Sequence, residues 1–208
     1  MTMFGLADCN NFYCSCERVF NPALRTAPVV VLSNNDGCII ARSNEAKALG
    51  IDMGAPFYKM RDYLERNKVA VFSSNYTLYG DMSRRVMMLL SDFAPDVSQY
   101  SIDEAFINLT GFGQGDPLRS YGKQIVTAIG RGTGIPITLG IAPTKTLAKA
   151  AAHYGKHYRG YDGTCLIDTD DKRVKALKGL DVADVWGIGR HTAQKLEYHG
   201  IKTGWDFT

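Results

Sequence analysis

The chain has 208 residues, a formal net charge of +3 and 45% hydrophobic residues, an ordinary composition for one large or two small folded domains. No run approaches the length of a membrane span, and no basic segment followed by an apolar stretch predicts a signal peptide. We therefore expect a cytoplasmic protein without membrane contact. The five cysteines have the spacing of neither a disulfide framework nor a zinc site, so we expect reduced, mostly buried thiols.

The hydrophobic pattern predicts short strands that alternate with amphipathic helices. In chain order we expect a strand at 4–8, a helix at 11–20, strands at 28–33 and 38–41, helices at 43–49 and 62–66, a strand at 69–72, a helix at 78–93, a strand hairpin at 97–109, a helix at 117–129, a strand at 136–141 and a helix at 144–154. The glycine-rich segments 111–115 and 130–134 are predicted loops. Without residues 11–74, the order is strand, helix, strand, strand, helix, strand, which predicts an α+β fold of the ferredoxin-like, or split βαβ, type.

Three carboxylates are the main chemical signal. Asp103 and Glu104 are adjacent at the predicted hairpin, and Asp8 ends the first strand. In the ferredoxin-like arrangement the first and third strands are antiparallel neighbours, so these residues are expected to meet at one sheet edge. Adjacent carboxylates repel each other unless a cation lies between them, and Mg²⁺ prefers such oxygen ligands. The alternative for the Asp103–Glu104 pair alone is a solvated turn.

Two basic features suggest anion binding. The segment 144–161 carries Lys145, Lys149 and Lys156 without an acid, which favours an anion-binding face over a solvated helix face. Lys47 and Lys156 are candidates for phosphate contacts. The segment 185–201 contains a Gly-Ile-Gly turn typical of a helix-hairpin-helix, whose N–H groups can bind a DNA phosphate, although such hairpins also serve as plain packing elements.

Several motifs together resemble those of one enzyme family. The segment 8–17 (Asp-Cys-Asn-Asn-Phe-Tyr-Cys-Ser-Cys-Glu) resembles the first motif of Y-family translesion DNA polymerases, Ser-Ile-Asp-Glu-Ala-Phe at 101–106 the second, and Thr-Lys-Thr-Leu-Ala-Lys at 144–149 the third. Ser-Asn-Asn-Asp-Gly-Cys at 33–38 and Ser-Ser-Asn-Tyr at 73–76 are similar to the UmuC-type branch. The resemblance extends over essentially the whole chain.

The resemblance implies a domain organisation. A polymerase palm is expected at 1–10 and 75–163, small α/β fingers at 11–74, and the start of a helical thumb with the helix-hairpin-helix at 164–208. Family members continue into a little finger domain, which is absent from this sequence. We therefore expect a catalytic palm–fingers fragment that holds DNA weakly and is itself of low or no activity.

The resemblance also implies functions for individual residues. It assigns Asp8, Asp103 and Glu104 as catalytic metal ligands, with the carbonyl of Cys9 assisting. Tyr13 would be the steric gate that rejects a 2′-hydroxyl, with Phe12 packed nearby. The remaining nucleotide-binding candidates are Asn44, Lys47 and Lys156, and the DNA-binding candidates are Lys145, Lys149, Gly187, Gly189 and Arg190. Many relatives have Tyr and Arg where this chain has Asn44 and Lys47, so these two assignments depart from the family pattern.

The function implied is template-directed DNA polymerisation in translesion synthesis during the SOS response to DNA damage. Two Mg²⁺ ions, for which Mn²⁺ can substitute, would serve as cofactors, and primer–template DNA and dNTP as substrates. By resemblance, the partners are a UmuD-like subunit, a recombinase filament and the sliding clamp. Two alternatives remain open at this point: a non-catalytic DNA-binding or scaffolding module with a polymerase fold, and a palm-type nucleotide cyclase, which Tyr13 disfavours.

Overall fold

The computed structural model describes residues 2–208, which form two compact units. Of the described residues, unit 1 comprises 2–8, Leu90–Ala128 and Ile137–Thr208, and unit 2 comprises Cys9–Leu89 and Ile129–Pro136. The strands are β1 (Phe4–Cys9), β2 (Val29–Leu32), β3 (Ile39–Arg42), β4 (Ala70–Phe72), β5 (Val97–Gln99), β6 (Glu104–Asn108), β7 (Ile137–Ala142) and β8 (Thr164–Leu166). The helices are α1 (Phe12–Phe20), α2 (Asn44–Ala48), α3 (Phe57–Arg66), α4 (Tyr76–Ser91), α5 (Gly115–Thr133), α6 (Lys145–His157), α7 (Asp170–Gly179) and α8 (Arg190–Tyr198).

The five-stranded sheet has the order β5-β6-β1-β7-β8. Strand β6 is antiparallel to both β1 and β5, and β8 adds to the edge parallel to β7. The first four of these strands, with α4 and α5 as connections, confirm the predicted ferredoxin-like order. The central position of β1 is consistent with its burial, since five of its six residues are buried.

Helix α6 lies unusually close to β7 because the residues that face each other there are glycine and alanine. A Cβ atom on Gly140 would lie 2.2 Å from the carbonyl oxygen of Ala148 and 2.2 Å from the amide nitrogen of Ala152. The helix begins at a side-chain cap, in which the Leu147 N–H donates to Thr144 Oγ1. It ends at His157, three residues beyond the predicted end, so Lys156 is part of the helix.

Unit 2 contains a three-stranded sheet in the order β3-β2-β4. The predicted turn at 34–37 joins β2 and β3 as an antiparallel hairpin, with Asp36 in the left-handed region at φ 52°. Ser43 caps α2 as expected, since its Oγ accepts from the Ala46 N–H. The buried side chains of Val30, Ile39 and Leu64 belong to one hydrophobic core in this unit.

The prediction of a loop at 130–134 is wrong, because α5 continues to Thr133. A Cβ on Gly132 would lie 2.6 Å from Leu89 Cδ2, so the glycine permits close packing of the helix. Gly134, at φ +74°, then ends the helix, and its N–H donates to the Gly130 carbonyl. The other predicted loop, 111–115, is shorter by one residue because Gly115 begins α5. Within residues 2–208, no helix is both long enough and apolar enough to span a bilayer.

Candidate catalytic and nucleic-acid site

The carboxylates of Asp8 and Glu104 lie on neighbouring strands at the same level of the sheet. The register of β1 with β6 pairs the two residues directly. Asp103 immediately precedes β6 in the hairpin turn, where Ser101 Oγ donates to its Oδ1 at 2.6 Å. The antiparallel register thus brings together residues that are remote in sequence, which is the arrangement that topology predicts.

The Asp8 carboxyl group is in an unfavourable environment for a negative charge. Burial raises its pKa from 3.8 to about 6; the Lys156 ammonium opposes this rise, and the charges of Glu104 and Asp103 add to it. The residue as a whole is only 8% exposed. A cluster in which two neighbouring acids raise the pKa of Asp8 favours additional positive charge.

Lysines from α6 neutralise two of the carboxylates separately. Lys156 Nζ lies 2.6 Å from Asp8 Oδ2, and Lys149 Nζ donates to both oxygens of Glu104 at 2.9 and 3.0 Å. Lys145, one turn before Lys149, forms no such ion pair among the described residues, and its Nζ lies 5.0 Å from the centre of the Phe106 ring. The basic face of α6 therefore turns toward the acidic sheet edge.

A divalent ion fits the chemistry of this cluster, although the side chains are not yet arranged around one. Within residues 2–208, no three His, Cys, Asp or Glu side chains are grouped closely enough to hold a metal ion as they stand. The donor atoms are nevertheless hard oxygens of the type that Mg²⁺ prefers. Lys149 and Lys156 supply the positive charge that an ion would otherwise supply. Cys9, whose carbonyl is the further expected ligand, directly follows Asp8 in β1.

Unit 2 contains four of the five predicted nucleotide-binding residues, and the fifth, Lys156, lies in unit 1. Tyr13 stacks on Tyr79, with 4.3 Å between ring centres and 15° between ring planes. Tyr79 is fully buried and donates through its hydroxyl to Glu17 Oε1 at 2.8 Å, which stabilises the ring that supports Tyr13. Phe12 is buried beside Tyr13, at 5.8 Å between ring centres. Tyr13 itself is only half-buried, so part of its surface can meet a ligand.

Asn44 and Lys47 are brought together by a residue that the sequence analysis did not single out. The Asn11 side chain donates through Nδ2 to Asn44 Oδ1 at 3.0 Å and accepts from Lys47 Nζ at 2.6 Å. Asn11 has left-handed backbone geometry at φ 47° and precedes α1. Its conspicuous place in the first motif, between Asp8 and Tyr13, was the available signal. Asn44 and Lys47 are both exposed.

The Gly-Ile-Gly turn lies between a short 3-10 turn and helix α8. Gly187 adopts φ +91°, and Gly189 is the extended residue that precedes Arg190, the first residue of α8. Ile188 packs on the buried side chains of Ala150 and Val185, which holds the turn against α6. Gly187, Gly189 and Arg190 are all exposed. Trp186, which the sequence motifs did not single out, donates through Nε1 to the Tyr100 hydroxyl at 3.2 Å.

The chain is similar to several named proteins. It is 48% identical over 207 residues to Protein UmuC of Salmonella typhimurium, covering 99% of this chain and 49% of that protein. It is 33% identical over 201 residues to DNA polymerase IV 2 of Mesorhizobium japonicum, covering 95% of this chain and 45% of that protein. The chain thus spans about half the length of the curated relatives it matches.

Solved structures show the same relationship. A structure described as an insertion ternary complex of Dbh DNA polymerase matches with a TM-score of 0.85 and 27% identity, covering 97% of this chain and 58% of that one. The crystal structure of DinB from Sulfolobus solfataricus matches with a TM-score of 0.83 and 27% identity, covering 97% and 58%. These matches confirm the resemblance to Y-family polymerases of the UmuC type. The family model described as IMS, the impB/mucB/samB family, matches residues 7–153, and the chain belongs to this family.

Proposed function

We propose that the protein carrying this chain is a template-directed DNA polymerase that acts in translesion synthesis. The observation that supports this most directly is the pairing of Asp8 with Glu104 across β1 and β6, with Asp103 beside them, in a chain of the impB/mucB/samB family. In the reaction, the primer 3′-oxygen forms a bond to the α-phosphorus of a dNTP, and the bond to pyrophosphate breaks. Such a transfer depends mainly on positioning and on neutralising phosphate charge.

The carboxylates of Asp8, Asp103 and Glu104, with the Cys9 carbonyl, are proposed to hold two Mg²⁺ ions, for which Mn²⁺ can substitute. When bound, such ions lower the pKa of the attacking hydroxyl and stabilise the leaving oxygen. Lys156 Nζ lies 2.6 Å from Asp8 Oδ2. Once a cation binds the Asp8 carboxylate in its place, the Lys156 ammonium is free to bind the triphosphate. The ion pairs of Lys156 with Asp8 and of Lys149 with Glu104 hold this cluster together before substrate arrives.

Residues of unit 2 are proposed to bind the nucleotide. The half-buried ring of Tyr13, supported by stacking on Tyr79, would act as the steric gate against a 2′-hydroxyl, with Phe12 limiting its movement. Lys47 would contribute charge to the phosphates, and Asn44 a hydrogen bond. The hydrogen bonds of Asn11 to Asn44 and Lys47 support this assignment, because they hold the two side chains next to each other.

Primer–template DNA is the proposed macromolecular substrate. The exposed Gly187–Gly189 turn with Arg190 would bind a backbone phosphate, and Lys145 and Lys149 would add positive charge. We assign the palm to 1–10 and 75–163, the fingers to 11–74 and the start of the thumb to 164–208. A UmuD-like subunit, a recombinase filament and the sliding clamp are the proposed partners. The five free cysteines are consistent with the reducing cytoplasm, the proposed location.

Primer extension tests this function. The full-length protein that contains this chain should extend a primer with Mg²⁺ and dNTPs, and Asp103→Ala should lower the rate by about 10²-fold or more, the scale of preorganised electrostatic groups. Asp96→Ala is the matched control. Asp96 is an exposed acid just before the same hairpin, and its carboxylate accepts a hydrogen bond from Asn108 Nδ2. It should retain the wild-type rate.

Tyr13→Ala tests the nucleotide assignment separately, since it should admit ribonucleotides without abolishing extension with dNTPs. If wild type and Asp103→Ala bind DNA equally and neither extends a primer, the protein is a DNA-binding module with a polymerase fold. Equal extension by wild type and Asp103→Ala would instead remove Asp103 from the catalytic site.

A further inference from the structure

Three aromatic rings connect the acidic hairpin with the Gly-Ile-Gly turn. Tyr100, in the turn after β5, lies 5.8 Å from Phe106 and 5.5 Å from Trp186 between ring centres. Phe106 and Trp186 are 5.7 Å apart, so each ring contacts the other two. The hydrogen bond from Trp186 Nε1 to the Tyr100 hydroxyl sets the orientation of the pair. Trp186 directly precedes Gly187, the first glycine of the turn.

Lys149 connects this aromatic cluster with the carboxylate of Glu104. Its ammonium donates to both Glu104 oxygens at 2.9 and 3.0 Å and lies 5.4 Å from the centre of the Tyr100 ring. An ammonium in this position is attracted both by the carboxylate and by the ring. Its side chain is 24% exposed and that of Glu104 is 14% exposed, so water screens the pair only in part.

We propose that Lys149 is a counterion for Glu104 that a divalent cation displaces. We further propose that this displacement alters the Gly187–Gly189 turn, the proposed DNA-binding turn, through Tyr100 and Trp186. The proposal rests on the proposed function, because it takes Glu104 as a metal ligand. A cation on the Glu104 oxygens replaces the charge that Lys149 supplies and repels its ammonium. The ammonium then leaves the Tyr100 ring, and the environment of the hydrogen-bonded Trp186 indole changes.

The coupling operates in both directions. If cation binding at Glu104 changes the state of Trp186, then holding Trp186 in the cation-bound state must raise the affinity for the cation by the same factor. A DNA phosphate bound at Gly187–Gly189 acts on the residue next to Trp186. DNA capture would thereby favour cation binding at the acidic edge, and this would link assembly of the metal site to the presence of DNA.

Trp186 provides a direct readout of the proposed displacement. In the experiment, the parent protein carries the substitution Trp205→Phe, which leaves Trp186 as the only indole of this chain. Mg²⁺ is then titrated while Trp186 emission is recorded, and Mn²⁺ affinity is measured independently by electron paramagnetic resonance. We expect the emission to change with a midpoint equal to the Mg²⁺ dissociation constant that competition with Mn²⁺ gives. Lys149→Met should bind Mn²⁺ about fivefold tighter, a factor at the low end of usual coupling strengths, and should lose the emission change.

Two further variants make the test specific. Lys123→Met removes a lysine from another ion pair of unit 1, with Asp162, and should behave like the parent. Tyr100→Phe keeps the ring under Lys149 but removes the acceptor of the Trp186 hydrogen bond. It should retain the Mn²⁺ affinity within about twofold, as expected for a change outside the ion pair, and lose most of the emission change. This second variant also keeps the test decisive if Lys149→Met fails to fold.

The outcomes separate the coupling from the metal site itself. If Mn²⁺ binds and Glu104→Gln abolishes its binding, but Trp186 emission stays constant, the coupling is overturned and the metal site stands. Weaker Mn²⁺ binding by Lys149→Met, or an undiminished emission change in Tyr100→Phe, also overturns the coupling alone. If the parent binds no Mn²⁺ at all, both this proposal and the proposed metal site are wrong.

Discussion

Replacing Asp8 by Asn should stabilise the folded chain at neutral pH while removing a proposed metal ligand. The pKa of Asp8 is raised from 3.8 to about 6 by burial, against the opposing charge of Lys156 and with the added repulsion of Glu104 and Asp103. The folded state therefore binds the Asp8 proton more tightly than the unfolded state does. Between pH 3.8 and about 6 the folded chain carries the extra proton, so stability falls as pH rises through this window and is level above it.

The magnitude follows from the same two pKa values. The difference between 3.8 and about 6 corresponds to ~3 kcal/mol of the unfolding free energy at ~1.36 kcal/mol per pH unit. This is an upper value for the interval from pH 4 to pH 7, because part of the titration of the unfolded state around pH 3.8 lies below that interval. We therefore expect the stability difference between variant and wild type to grow by about 1–3 kcal/mol, in favour of Asp8→Asn, from pH 4 to pH 7.

Urea denaturation of both proteins in metal-free buffer, at several pH values, measures this difference. Asp162→Asn is the control. Asp162 is fully exposed, and its pKa is lowered by the hydrogen bond and charge of Lys123. Its contribution to stability is therefore present above pH 3.8 and disappears only below that value, so the curves for Asp162→Asn and wild type should run parallel between pH 4 and 7. Parallel curves for Asp8→Asn in the same window would refute the reasoning.

Three further predictions concern packing and thiol chemistry. Gly140→Ala should cost about 3 kcal/mol or more, or prevent folding, because its Cβ would meet backbone atoms of α6 at 2.2 Å; in thermal melts the control Gly80→Ala, inside α4 with no atom near the new Cβ, should be stabilising by about 0.5–1 kcal/mol. Tyr79→Phe should lower the unfolding free energy by about 1–2 kcal/mol in urea titrations, because a partly buried hydrogen bond to the Glu17 carboxylate is lost, and an unchanged midpoint would contradict the structure. A thiol reagent should label Cys38 first in the native chain, since the other four cysteines are buried; fast labelling of two or more thiols would argue against the core described above.

The sequence was sufficient to predict most local elements and the proximity of Asp8 to Glu104. Capping by Ser43, the turn at 34–37 and the apolar spacing of α4 are short-range features, so the residues that determine them are close together in the chain. The order of strands and helices also predicted the ferredoxin-like sheet, because few topologies satisfy that order. The failure at 130–134 shows the limit of local rules. Glycine is a loop signal by propensity, whereas Gly132 lies inside α5, at a position where Leu89 leaves no room for a side chain.

Only the tertiary structure decided which charges pair at the site. A basic segment without acids predicts an anion-binding face, but the fold directs Lys149 to Glu104, 45 residues away in the chain, and Lys156 to Asp8. The partners of Asn11, which are Asn44 and Lys47, and the bond from Trp186 to Tyr100 were likewise decided only by the fold. Side-chain pairing across strands and helices depends on register and on distances of a few ångströms. Local propensity carries no information about either, because both are set when the distant segments pack.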